Sequence, residues 1–147
     1  MKTPPAHITV AAAALIHPQG DVLLTQRPAG KPLAGLWEFP GGKQDAQESI
    51  PHTLIRELQE ELGVEVALSQ LRYGCSCEHL YPSLHVALHL FWITQWHGTP
   101  TAREHQPLHW CRIDQLHRHA MPEADVPLVA WLRDYHPRIM QNVESSH

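Results

Sequence analysis

The feature that most constrains this chain is one amphipathic stretch, residues 49–63, entered through a loop rich in glycine and proline. Ile50, Leu54, Ile55, Leu58 and Leu62 recur at helical spacing, and Gly63 supplies a C-terminal stop. Ser49 is a suitable N-cap, and Pro51 is tolerated in a first turn. A helix over 49–62 is therefore expected. At ~100° per residue its leucines and isoleucines form one apolar arc, while Glu57, Glu60 and Glu61 share an adjacent arc roughly 100° wide. Such a helix buries one face and displays a cluster of like charges along its edge. Carboxylates at i,i+3 and i,i+4 repel by roughly 0.2–0.5 kcal/mol per pair. A cation between them turns that cost into a gain. Hard divalent cations take oxygen ligands, and Mg²⁺ often binds through one or two carboxylates plus substrate phosphates. Three glutamates alone also fit a solvated acidic face, so the cluster by itself leaves both readings open.

The rest of the chain suggests what surrounds that helix. Residues 8–16 and 21–26 are apolar runs flanking His17-Pro18-Gln19-Gly20-Asp21, which predicts a β-hairpin. Residues 27–47 hold Pro28, Gly30, Pro32, Gly35, Pro40, Gly41 and Gly42 and are expected to be a loop, long enough to be functional. Strands are expected over 64–68, 71–77, 84–96 and 108–112, with a loop over 98–106. A second amphipathic helix is expected from Asp125 to Tyr135, with Asp125 as candidate N-cap. The order strands, helix, strands, helix predicts an α/β fold with helices on both faces of a sheet. The 147 residues match the soft prior of ~150 per domain, so one domain over 1–147 is expected, with its core at about 8–135.

Composition excludes several functions. The net charge is −4 and no basic run occurs, which argues against polymeric DNA or RNA as a partner. No apolar run approaches the ~20 residues of a membrane helix. Three cysteines, an odd number, favour a reducing compartment, and the chain reads as cytoplasmic. The 13 histidines are scattered along the chain, as in a His-enriched surface rather than a metal tract. Cys75-Ser76-Cys77-Glu78-His79 lacks a second ligand pair at zinc spacing, and cysteines two apart suit a strand. His85 and His89 share one strand face and read as pocket or surface residues.

Spacing resolves the acidic helix. From Gly42 to Val64 the chain reads Gly, five residues, Glu48, seven residues, Arg56-Glu57, an aliphatic, one residue, Glu60-Glu61, one residue, Gly63, an aliphatic. This resembles the Nudix box at every defining position. The resemblance implies a mixed β-sheet sandwiched between helices, with the box forming a loop–helix–loop. It also implies Mg²⁺-dependent hydrolysis of a nucleoside diphosphate linked to another group, with Mn²⁺ as an expected substitute. Glu57, Glu60 and Glu61 would be metal ligands, the carbonyl of Gly41 a further one, and Arg56 would orient Glu57 while Glu48 braces the loop. One departure stands inside the box, where Glu-x-Gly usually precedes the first glutamate and this chain has Asp45-Ala46-Gln47.

The resemblance extends to the MutT branch, which removes oxidised nucleoside triphosphates, over roughly residues 8–135. Gly35-Leu36-Trp37-Glu38-Phe39-Pro40-Gly41-Gly42-Lys43 is similar to the segment before the box there, which implies that Glu38, Phe39, Pro40 and Gly41 lie at the substrate. Trp37 and Phe39 read equally as core or as neighbours of the base. Arg27, after Thr25-Gln26, stands where an arginine meets the phosphates, with Lys31 a second candidate. Glu104 matches a glutamate on a loop over the metal site, and reads otherwise as a solvated loop residue. Asp125 matches the position that reads the base, and reads otherwise as a helix cap. Leu84 stands where some members place an arginine near the base. The implied activity is hydrolysis of 8-oxo-dGTP to 8-oxo-dGMP and pyrophosphate. Glu104–Cys111 with Ala124–Leu128 is also similar to relatives acting on CTP and 5-methyl-dCTP, which is the alternative. A nucleotide-binding module with little activity is a third reading, but a pure binder has no need of three like charges on one helix edge.

Overall fold

The run Ala11-Ala12-Ala13-Ala14-Leu15-Ile16 is buried throughout, because the strand that carries it has protein on both faces. In the computed structural model, which describes residues 5–145, β1 (Ala6–Leu15) is an inner strand of a four-stranded mixed sheet. It pairs antiparallel with β4 (Gly41–Lys43) and parallel with β6 (Leu84–Ile93). β6 in turn pairs antiparallel with β5 (Arg72–Tyr81). Successive strand residues point to opposite faces. Ala11, Ala13 and Leu15 pack with Leu54, Leu58 and Leu62 of α1 (Ile50–Leu62). Ala12, Ala14 and Ile16 pack with Leu128, Leu132 and Ile139 of α2 (Val126–Ser145). The mixed sheet is thus sandwiched between two helices, and a doubly covered strand reads as a continuous apolar run instead of an alternating one. No helix of the described residues is long and apolar enough to cross a membrane.

β2 (Val22–Gln26) lies between β3 (Trp37–Glu38) and β7 (Leu108–Cys111) in a second, three-stranded antiparallel sheet. This corrects the expected hairpin. The turn exists, with the His17 N–H donating to the Asp21 carbonyl at 2.8 Å. Past the single bridge Ile16–Val22, however, the two strands diverge into different sheets. The expected loop 27–47 likewise contains β3 and β4, which are too short to show periodicity and are ordered by pairing with β2 and β1. Residues 64–68 are not a strand: Glu65 makes an isolated bridge to His97, and Leu68–Gln70 is a turn of 3₁₀-helix. The second helix starts at Val126, after a 3₁₀ turn over Glu123–Asp125, and continues past Tyr135 to Ser145 with Pro137 inside it.

α1 begins and ends where its caps place it. The Ser49 hydroxyl accepts from the His52 N–H at 3.2 Å. Gly63, at φ 71°, donates its N–H to the Gln59 carbonyl. A helix leaves its last carbonyls unpaired, and loop 98–106 supplies partners for them. Thr101 N–H donates to Leu62 O at 2.9 Å, Arg103 N–H to Glu61 O at 3.2 Å, and Arg103 Nη1 to Gln59 O at 3.3 Å. These bonds bring Glu104 to the C-terminal end of α1.

Gln47, in the turn between β4 and α1, has φ 66°. That left-handed conformation costs a non-glycine residue about 1–2 kcal/mol, and it falls where the Nudix box usually has glycine. Gln47→Gly should therefore raise stability by ~0.5–1 kcal/mol, once the greater freedom of glycine in the unfolded chain is subtracted. The urea midpoint reads this out. An unchanged or lower midpoint would mean that Gln47 is unstrained.

Candidate functional site

One guanidinium ties the β4–α1 loop to the helix. Arg56 Nε donates to Glu48 Oε2 at 2.8 Å and Nη2 to Glu48 Oε1 at 3.0 Å, a bidentate pair. Its Nη1 donates to Glu57 Oε1 at 2.9 Å and to Glu60 Oε2 at 3.2 Å, and Nη2 also reaches the Lys43 carbonyl at 3.3 Å. Thr53 Oγ1 donates to Glu48 Oε1 at 2.7 Å. Hydrogen bonds from Arg56 first, and from Thr53 second, hold the Glu48 carboxyl down to about 2. Those contacts keep Arg56 charged in turn, its pKa raised above the ordinary arginine value.

The opposite regime holds one turn along the helix. Glu61 is only 8% exposed, and its Oε2 accepts the Gly41 N–H at 3.2 Å. Burial pushes its pKa up to about 8, the charges of Glu38, Glu104 and Glu57 push the same way, and the Gly41 hydrogen bond opposes them. Glu57 is also raised, chiefly by burial, with Arg56 opposing and Glu60 and Glu104 adding. The glycines make this approach sterically feasible. A β-carbon on Gly41, at φ 151°, would overlap the backbone of Ala11, and one on Gly42 would overlap the carboxyl group of Glu57.

A pocket of about 340 Å³ opens beside this edge, lined by Arg27, Lys31, Glu38, Gly41, Glu61 and Glu104 together with Thr25, Gln26, Pro28 and Gln106. Arg27 is already engaged: Nη1 donates to both Glu38 carboxylate oxygens at 3.2 Å, and Nε to the Pro32 carbonyl at 2.7 Å. Burial raises Glu38 more than this pairing lowers it. Asp125 is 6% exposed, with its pKa pushed up to about 7 by burial first and by Glu38 next, against Arg27. It therefore feels the field of the pocket without forming its wall.

The remaining expected residues do not line this pocket. Glu57 and Glu60 hang from Arg56 on the same edge of α1. Phe39 is 4% exposed and packs in the core on the α2 side, the first of its two expected readings. Pro40 is buried and its carbonyl accepts the Ala13 N–H at 2.8 Å, so it anchors β1. Leu84, half-buried at the start of β6, packs on the rim of the same core. Sequence reasoning missed Gln106. It is 5% exposed, donates from Nε2 to the Glu61 carbonyl at 3.2 Å and accepts the Glu104 N–H at 3.0 Å. It couples the two glutamates, and a lone glutamine in a loop carries no spacing signal that could have found it.

The donors on this helix edge are all oxygen, and their mutual repulsion is what a bound cation would relieve. That chemistry fits a hard divalent ion. A family model described as NUDIX domain matches residues 11–131. The chain belongs to the NUDIX family. Nudix hydrolases cleave phosphoric anhydrides and generally use divalent metals, and this chain is an enzyme of that class. It is 41% identical to the CTP pyrophosphohydrolase of Escherichia coli (strain K12) over 117 residues, 80% of this chain and 85% of that protein. It is 34% identical to the 8-oxo-dGTP diphosphatase of Haemophilus influenzae over 122 residues, 83% of this chain and 88% of that protein. The solution structure of the E. coli ORF135 protein superposes with a TM-score of 0.76 at 38% identity, covering 89% of this chain and 91% of that one. A MutT NUDIX hydrolase from Burkholderia pseudomallei gives a TM-score of 0.76 at 26% identity, covering 86% and 98%.

The raised carboxyls of this Nudix domain have a measurable consequence. Glu61 binds its proton more tightly folded (about 8) than at its ordinary value of 4.5. Its contribution to stability is full below 4.5 and is lost as pH rises through about 8. Asp125, raised to about 7, acts with the same sign. Glu48, lowered to about 2, acts oppositely, and its contribution is lost as pH falls from 4.5 towards 2. The metal-free protein should therefore lose melting temperature between pH 5 and pH 8.5, and Glu61→Gln should flatten much of that slope. An identical slope in the variant would remove Glu61 as its source.

Proposed function

We propose that this chain is a one-domain, Mg²⁺-dependent nucleoside triphosphate pyrophosphohydrolase that prefers 8-oxo-dGTP, yielding 8-oxo-dGMP and pyrophosphate. In that role it clears oxidised nucleotides from the cytoplasmic pool before they reach DNA. The observation that carries the reading is a basic pair, Arg27 and Lys31, lining one pocket with Glu61 and Glu104. A triphosphate needs cations along its length and carboxylates where metal joins it. The acidic chain suits a free nucleotide better than a polymer.

Glu57, Glu60 and Glu61, with the carbonyl of Gly41, would hold Mg²⁺ or, in its place, Mn²⁺. Bound there, the ion would supply charge neutralisation for the leaving pyrophosphate and a lowered pKa for water. Arg56 fixes Glu57 and Glu60 before substrate arrives. Gly41 and Gln106 fix Glu61 through its carboxyl and its carbonyl. Arg27 turns from Glu38 to a phosphate oxygen, assisted by Lys31. Glu104, held by Gln106, receives the proton that water loses as it attacks phosphorus and the P–O–P bond breaks. A carboxyl that titrates near neutrality, Asp125, offers both an acceptor and a donor. 8-Oxoguanine differs from guanine in presenting an N7–H donor beside its O6 acceptor, an edge that such a group pairs with.

The relative that hydrolyses CTP favours a second reading, CTP or 5-methyl-dCTP, since cytosine presents an N4 amine beside its N3 acceptor. Pyrophosphate release from a panel of 8-oxo-dGTP, dGTP, CTP, 5-methyl-dCTP and dCTP decides between them. The proposal expects the highest kcat/KM on 8-oxo-dGTP, and a higher value on a cytosine nucleotide would replace it with the second reading. Glu61→Gln should lower kcat by ~10³-fold or more. Retention of over half the activity would remove Glu61 from the metal site. Asp125→Ala should lower kcat/KM on the preferred base by about 5- to 150-fold, the cost of an unpaired buried polar group. An equal fall on every base would leave Asp125 a structural residue.

A further inference from the structure

Outside that pocket, three ligand-type side chains converge on the other face of the small sheet. His109 and Cys111 are two apart on β7, so they leave the strand on the same side. His119 arrives from beyond the 3₁₀ segment Ile113–Arg118. One nitrogen of each imidazole and the sulfur lie within 4.8 Å of one another. The two imidazole rings are 5.0 Å apart between centroids, and the Trp37 ring stands edge-on to both, at 5.9 and 5.6 Å. Cys111 forms a buried floor at 1% exposure, His119 is half-buried, and His109 is exposed at the mouth.

We propose that His109, Cys111 and His119 form a zinc-class metal site, separate from the carboxylate edge of α1. Two imidazoles and a thiol are borderline-soft donors, which favour Zn²⁺ over the hard ions that suit carboxylates. Bond lengths of ~2.0–2.1 Å to nitrogen and ~2.3 Å to sulfur need ligand atoms roughly 4 Å apart or less, so small side-chain rotations of the two histidines would close the site. On binding, the Cys111 S–H bond breaks, an S–Zn bond forms and the proton passes to solvent. Three protein ligands leave a fourth position for water. The ion would join β7 to the segment that holds β3, since the Trp37 N–H donates to the Ala120 carbonyl at 2.8 Å. Trp37 and Glu38 are successive residues of β3 and face opposite sides, so the same clamp steadies Glu38 in the pocket.

Co²⁺ is the probe, because a thiolate ligand gives it a charge-transfer absorption that carboxylates do not. The titration uses the full chain carrying Cys75→Ser and Cys77→Ser, in saturating Mg²⁺. The proposal expects an absorption band that saturates at one Co²⁺ per chain and is displaced by Zn²⁺. Cys111→Ser should abolish the band. His109→Ala, at an exposed position that leaves the fold intact, should weaken Co²⁺ binding by at least ~10-fold. No band in the Cys75/Cys77 variant, or a band that persists unweakened in His109→Ala, overturns the proposal.

Discussion

The guanidinium of Arg56 is the interaction on which the carboxylate edge of α1 depends. It clamps Glu48 with two hydrogen bonds and reaches Glu57, Glu60 and the Lys43 carbonyl with the rest. A lysine could not do this, since one point charge cannot hold a bidentate partner and two further carboxylates in fixed directions. The helix therefore presents its glutamates in a set geometry, and the loop that carries Gly41 and Gly42 cannot drift from it. Glu48 titrates far below Glu61 although both are glutamates of one motif. The difference comes from a full set of donors on one and burial among like charges on the other.

The two-sheet arrangement puts this edge beside a pocket. β1 is filled with alanines and covered by a helix on each side, so it acts as a rigid spine. β4 pairs with β1 and delivers Gly41 to Glu61, while β2 and β3 deliver Arg27 and Glu38 from the other sheet. Loop 98–106 closes the arrangement by pairing with the spent carbonyls of α1, and this is what positions Glu104. Arg27 and Glu38 hold each other in the free protein, so the arginine at this pocket is already paired with a carboxylate inside it.

Much of this was legible in the sequence where the chemistry is local. Ser49, Pro51 and Gly63 marked the ends of α1, the leucine spacing marked its buried face, and the glutamates at 57, 60 and 61 fell on the edge beside it. The long-range parts were not legible. Residues 8–16 and 21–26 look like a hairpin because the turn between them is real, yet each strand finds its partners elsewhere. β3 and β4 are two- and three-residue strands that exist only through their neighbours. Phe39 sits among pocket-lining residues in sequence and in the core in space, because Glu38 and Phe39 leave the chain on opposite sides. Gln106 carries no pattern at all, and His109, Cys111 and His119 come together only when β7 and the following 3₁₀ segment are folded.

The central claim is that the fold holds Glu61 as a buried, proton-binding carboxyl whose ionised form a divalent cation stabilises. The side-chain carboxyl ¹³C resonance of Glu61, followed against pH by NMR with and without Mg²⁺, tests it most directly. The account predicts a midpoint near 8 without metal and a marked downward shift when Mg²⁺ is added. A midpoint near the ordinary glutamate value of 4.5, unmoved by Mg²⁺, would contradict it.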